Sequence, residues 1–176
     1  MIELLYRIFL TVNATSPIVV TFLIKERYYI CCLNEFPIWV SYIIFVFIPV
    51  VLTAISLLFK RFLSKDSIEC AIKDVEQANN AFLPSYLGYF FVALSVPSIE
   101  SMIFVYSMLF VFTFVSQTLY FNPLFLCFGY HFYYIDTEKN IKQFIISKRE
   151  IRSTKNLQFE DLRRINNFTY IDMEEE

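Results

Sequence analysis

The chain has 176 residues and a formal net charge of −2, with 57% hydrophobic and 18% charged residues. Soluble domains average about 25% charged residues, and here the charges lie outside a few long apolar stretches. An ordinary water-soluble globule is thereby disfavoured, and an integral membrane protein is the expected class.

Four apolar stretches run roughly Leu4–Ile24, Phe36–Phe59, Phe82–Ser98 and Met102–Phe121. Each is about 17–24 residues, the length that crosses a hydrocarbon core of about 30 Å at 1.5 Å per helical residue. The expected fold is therefore an α-helical polytopic membrane protein. It has four transmembrane helices over 1–121, a cytoplasmic loop at about 60–80, and a small cytoplasmic α+β module over 122–176. Thirteen of the 15 Lys and Arg fall on the side of the N-terminus, the 60–80 loop and the tail, and only Lys25 and Arg27 on the other. The positive-inside rule then places both termini in the cytoplasm, with the chain a multi-pass protein of the cell membrane. The start, Met-Ile-Glu-Leu-Leu-Tyr-Arg, has no basic n-region and no small-residue cleavage site, so the first span is expected to be retained.

The first span is the most polar, with Thr11, Asn13, Thr15, Ser16 and Thr21 around Pro17. Proline has no N–H to give the carbonyl four residues back, so a kink is expected at Pro17 and another at Pro49 in the second span. Thr15, Ser16 or the Asn13 amide could satisfy the freed carbonyl or join a neighbouring helix. Two readings stay open: helix-to-helix contact, or a hydrated lumen or bending element. In the third span Ala81, Ser85 and Gly88 put small side chains at helical spacing, a packing face within one chain or between copies. Mid-membrane ionisable residues are missing, which argues against a coupled transporter. Trp39, Tyr42, Tyr28 and Tyr29 suit an outer aromatic belt.

Four cysteines are present: Cys31 and Cys32 adjacent in the outer loop, and Cys70 and Cys127 on the cytoplasmic side, where thiols stay reduced. The adjacent pair reads as small interface residues, as a strained ring, or as a disulfide to another copy. No C-x-x-C, H-E-x-x-H, P-loop or G-x-S-x-G motif occurs, and His131 with Cys127 makes no metal set. No catalytic residue, metal or cofactor is expected.

The 60–80 segment mixes acids and bases (Lys65, Asp66, Glu69, Lys73, Asp74, Glu76) and reads as a short polar helix facing solvent or a partner. After the break at Asn122–Pro123, aromatic residues alternate from Phe128 to Ile135, a strand signal. Thr137–Asn140 is the predicted turn and Ile141–Lys148 the returning strand. A short helix is expected around Phe159–Ile165, with Phe159, Leu162 and Ile165 on one face, and a third strand over Phe168–Asp172. At about 50 residues this module has a marginal core, so it should lean on lipid, on sister copies or on another protein. Its basic residues are diluted by Glu150, Glu160, Asp161 and the acidic end, against direct nucleic-acid binding.

The segments Asn-Pro-Leu-Phe (122–125), Phe-Gly-Tyr-His-Phe-Tyr (128–133) and Arg-Arg-Ile-Asn-Asn-Phe-Thr-Tyr-Ile-Asp (163–172), with the apolar spans before them, resemble the KwaA family, the membrane subunit of the Kiwa anti-phage defence system. The resemblance covers essentially the whole chain. It implies a homotetramer in the bacterial inner membrane that holds a cytoplasmic DNA-binding subunit, KwaB, and responds to phage attachment or membrane disturbance. It also implies a scaffold without catalytic residues. The docking residues expected on that basis are Phe128, Tyr130, Arg163, Arg164, Phe168 and Tyr170. The alternative is a pore-forming or membrane-depolarising effector lined by the first span.

Overall fold

The computed structural model describes residues 2–33, 35–68, 71–81, 83–116, 122–138, 141–154 and 157–174. Two long helices, α1 (Ile2–Lys25) and α2 (Ile38–Phe59), are followed by strands β1 (Lys65–Ile68) and β2 (Ile72–Gln77). Two shorter helices, α3 (Leu83–Ser95) and α4 (Ile99–Val115), lead to a single helical turn, α5 (Leu124–Cys127). Strands β3 (His131–Thr137), β4 (Lys142–Ser147), β5 (Phe159–Arg164) and β6 (Thr169–Asp172) complete the order. The chain divides into two compact units. A sheet unit comprises Met1–Arg7, Ser56–Ala81 and Pro123–Glu176, and a helical unit comprises Ile8–Ile55 and Phe82–Asn122.

The four-span helical fold expected from the sequence is overturned. Among the described residues, only α1 and α2 are long and apolar enough to cross a membrane. With 13 and 17 residues, α3 and α4 reach about 20 and 26 Å, short of the roughly 30 Å core. The cause lies between them. Pro97 offers no N–H to a continuing helix, and Ser98 accepts from the backbone N–H of Ser101 at 3.3 Å, capping α4. Residues counted toward span length are thus turn. The last part of the expected fourth span, 117–121, lies outside the described residues.

The second correction concerns the 60–80 segment. In place of the expected polar helix its described residues carry β1 and β2, the two edges of a six-stranded sheet ordered β1-β5-β6-β4-β3-β2. All pairings are antiparallel except β4 with β6. Only residues 69–71 separate β1 from β2. Four Cα steps of about 3.8 Å reach about 15 Å, whereas five strand spacings of about 4.8 Å would hold the edges of a flat sheet about 24 Å apart. The sheet is therefore strongly curled, toward a barrel left open between its edges. Its concave side encloses Tyr133, Ile135, Ile145, Phe159, Leu162 and Tyr170, with Ile68, Ile72 and Val75 packed against them.

That core explains both misread elements. Ile68, Ile72 and Val75 stand at helical spacing, but a connection and a register shift between Ile72 and Asp74 bring all three to one sheet face. Phe159 and Leu162 are likewise three apart. The partners Asp66 and Ile68 stand only two apart opposite them, so a bulge in β5 turns both side chains inward where a helix was expected. The expected hairpin is present as β3 with β4, paired from His131↔Ser147 to Asp136↔Lys142; residues 139 and 140 of its turn lie outside the described residues. The expected third strand is β6. The strand expected to begin at Phe128 begins at His131. The preceding turn α5 ends in a Schellman motif: Gly129 has φ +77°, Tyr130 N–H donates to Phe125 O and Gly129 N–H to Leu126 O, both at 3.1 Å. Only glycine adopts that φ without a Cβ penalty.

Candidate functional site

In the helical unit the polar residues of α1 meet partners on α2 and after α4. Asn13 is fully buried. With its amide oriented so that both ends are satisfied, Nδ2 donates to Pro49 O at 3.2 Å and Oδ1 accepts from Asn122 Nδ2 at 3.0 Å. Thr53 Oγ1 accepts from Asn122 Nδ2 at 3.0 Å, and its one proton is shared between Asn13 Oδ1 at 2.9 Å and Pro49 O at 2.8 Å. This is a closed polar cluster among apolar helices, joining three chain segments. On α2 the Thr53 hydroxyl also faces the carbonyl four residues before it, that of Pro49. On α1, Ser16 Oγ donates to Asn13 O at 2.7 Å, the carbonyl that Pro17 cannot serve.

The rest of α1 is satisfied in the same way. Thr15 Oγ1 donates to Thr11 O at 2.8 Å and sits 3.2 Å from Tyr106 Oη; Thr21 Oγ1 donates to Pro17 O at 2.8 Å. Thr11, Asn13 and Thr15 have no exposed surface, and the Thr15, Ser16 and Thr21 hydroxyls turn back to carbonyls of α1 itself. Tyr86 donates to Ala14 O at 3.0 Å. Ile18, Phe22, Ala93, Val96 and Met102 form the apolar contact of α1 with the short helices. Ser85 and Gly88 lie on the exposed side of α3, and nothing stands within 4 Å of where a Gly88 side chain would begin.

The sheet unit carries the residues expected to dock a partner. Phe168 is 58% exposed, beside the exposed Arg164, whose guanidinium donates to Asn167 Oδ1 at 2.7 Å. Phe128 and Arg163 are half-buried, and Arg163 donates to Leu63 O at 3.3 Å. Tyr130 and Tyr170 are buried. Tyr170 belongs to the concave core, where burial raises its phenol pKa, Asp66 reinforcing the effect and Arg164 opposing it. Tyr130 accepts from Lys60 Nζ at 2.7 Å, and its ring is faced by Lys60 and Lys148 at 5.0 and 5.5 Å. The structure therefore joins Arg164 and Phe168 at the β5–β6 turn and assigns the two tyrosines to packing.

Two features escaped the sequence reading. Asp172, 1% exposed, accepts from Ser147 Oγ at 2.7 Å and from Arg149 Nε at 2.9 Å, while Arg149 also reaches Glu174 at 2.6 Å and covers the Phe159 ring. The wide spacing of these partners left no local signal. Thr53 and Asn122 were also missed as partners of Asn13. A threonine four residues after a proline within an apolar run was the available clue.

These parts define a chain with two membrane-length helices, a buried polar cluster among them, and a small curled sheet whose exposed Phe168 and Arg164 are free of the core. The chain belongs to the KwaA anti-phage protein family, whose family model matches residues 6–171. No curated protein and no solved structure matches it.

Proposed function

We propose that this anti-phage defence protein is a membrane-embedded sensor and scaffold subunit, without chemistry of its own. α1 and α2 cross the bacterial inner membrane, and the sheet unit docks a cytoplasmic DNA-binding subunit. The observation that carries the membrane reading is the surface of α2. Trp39, Phe47, Val51 and Leu58 are each more than half exposed, along one broad face of an apolar helix. A water-soluble protein does not leave a continuous large apolar surface of this kind in water; hydrocarbon accepts it.

Connectivity supports the sidedness. Two crossings by α1 and α2 return the chain to the side of its N-terminus, and α3 followed by α4 returns it again whatever depth they reach. All three segments of the sheet unit then share one side, with thirteen of the 15 basic residues, the cytoplasm by the positive-inside rule. Membrane disturbance acts on α1 and α2, which the Asn13–Thr53–Asn122 cluster ties to the segment leading into the sheet unit. Copies associate, as a tetramer, through outward small residues such as Ser85 and Gly88.

The test expresses the tagged chain, asks whether it resists alkaline extraction from membranes, and purifies it in mild detergent with its partner. Co-purification of a DNA-binding protein that is lost in Arg164→Ala/Phe168→Ala, with unchanged melting, is the expected result. Recovery in the soluble fraction would remove the proposal. Depolarisation reported by a voltage-sensitive dye on phage challenge, without any partner, would replace it with an effector that opens the membrane.

A further inference from the structure

The segment between α1 and α2 presents two adjacent thiols. Cys31 and Cys32 open a short 3-10 turn, Cys31–Leu33, and both are free and exposed. We propose that they are a redox-sensitive cross-linking site, forming disulfides to the same cysteines of a second copy of this chain. The inference rests on the membrane placement above, which puts this loop on the extracytoplasmic face.

Geometry excludes the simplest alternative. Both thiols are free, and consecutive Cα atoms stand about 3.8 Å apart across a trans peptide, closer than the roughly 4.4 Å or more of an unstrained disulfide. The two thiols therefore do not pair with each other in this backbone. Cys127, the other described cysteine, and Cys70, which follows β1 in the sequence, both fall on the opposite side of the bilayer in the proposed topology. The partner thiol must come from another molecule.

A second copy is the favoured source. Copies inserted with one orientation carry the loop at one depth, and confinement to the bilayer plane raises their encounter rate above that of a dissolved thiol protein. An isologous contact brings the same residues face to face. The exposed Tyr28, Tyr29, Phe36 and Trp39 flank the loop and hold it at the interface between headgroups and water. Disulfides persist on that face and not in the cytoplasm.

The chemistry is thiol–disulfide exchange with a protein-disulfide oxidant of the cell envelope. A cysteine thiolate of one copy attacks the oxidant's disulfide, forming a mixed disulfide. The thiolate of the second copy then displaces the oxidant, which departs as its dithiol with two electrons and two protons. The full chain carries two such sites, so either thiol suffices.

The test uses Cys70→Ser/Cys127→Ser protein in intact cells, quenched with N-ethylmaleimide and run on non-reducing gels. A band at twice the 21.0 kDa chain mass that reductant abolishes is expected. It should persist in Cys31→Ser and in Cys32→Ser and vanish in the double variant. Parallel samples receive a membrane-impermeant maleimide. Free thiols that it labels in intact cells, with no cross-linked band, overturn the inference while leaving the topology standing. Labelling only after permeabilisation overturns the topology and the inference with it.

Discussion

Replacing Asn13 with leucine removes the amide at the centre of the polar cluster while keeping the side-chain volume similar. The amide has partners at Pro49 O, 3.2 Å, and Asn122 Nδ2, 3.0 Å, all without exposed surface to recover a water. A hydrogen bond between apolar helices contributes about 0.6 kcal/mol on average and up to about 1.7, and a buried group left unpaired costs about 1–3 kcal/mol. A loss of about 1–3 kcal/mol follows. For a chain of this length each kcal/mol lowers Tm by about 2–4 °C, so Asn13→Leu should melt about 2–12 °C below the parent in detergent. The fluorescence of Trp39, the only tryptophan, and loss of the monodisperse elution peak both follow the transition. A cycle with Thr53→Val should give a coupling of at least about 0.5 kcal/mol, because the two residues share partners. If Asn13→Leu melts at or above the parent temperature, or the two changes simply add, the cluster does not hold these helices together and the sensing role argued for it fails.

Three further outcomes test the sheet unit. Arg149→Met strands the buried Asp172 carboxylate, keeping only the Ser147 hydroxyl and local backbone around it, and should cost about 3–5 kcal/mol in denaturant unfolding. Gly129→Ala meets no neighbour within 4 Å but must hold φ +77°, so it should destabilise by about 1 kcal/mol with Gly129→Asn milder. Burial raises the pKa of Tyr134, with Lys142 opposing and Glu76 reinforcing, and likewise that of Tyr170. The native state then favours the neutral phenols. Their contribution is complete below the unfolded tyrosine value of about 10 and declines as pH rises through the folded values. Ultraviolet tyrosine titration should lose late-ionising amplitude in both Tyr134→Phe and Tyr170→Phe.

The apolar runs of α1 and α2 and the alternation that makes β3 pair with β4 are local properties, and they were legible residue by residue. The same is true of the Ser16 contact to Asn13 O, the carbonyl that Pro17 leaves without a donor, since both partners lie within one helical turn. Arg164 and Phe168 were legible as candidates, but their exposure was not, and Tyr130 and Tyr170 looked equivalent to them until the core claimed both. What tertiary structure alone decided has one physical origin: residue spacing is ambiguous wherever a strand bulges. Ile72 with Val75 and Phe159 with Leu162 carry helical spacing, and only the partner strands, contributed from far along the chain, fold those positions onto one face. The edges β1 and β2, the parallel β4–β6 pairing, the Arg149–Asp172 pair and the union of Asn13 with Thr53 and Asn122 are all long-range contacts, whose stabilisation appears only after the chain has closed on itself.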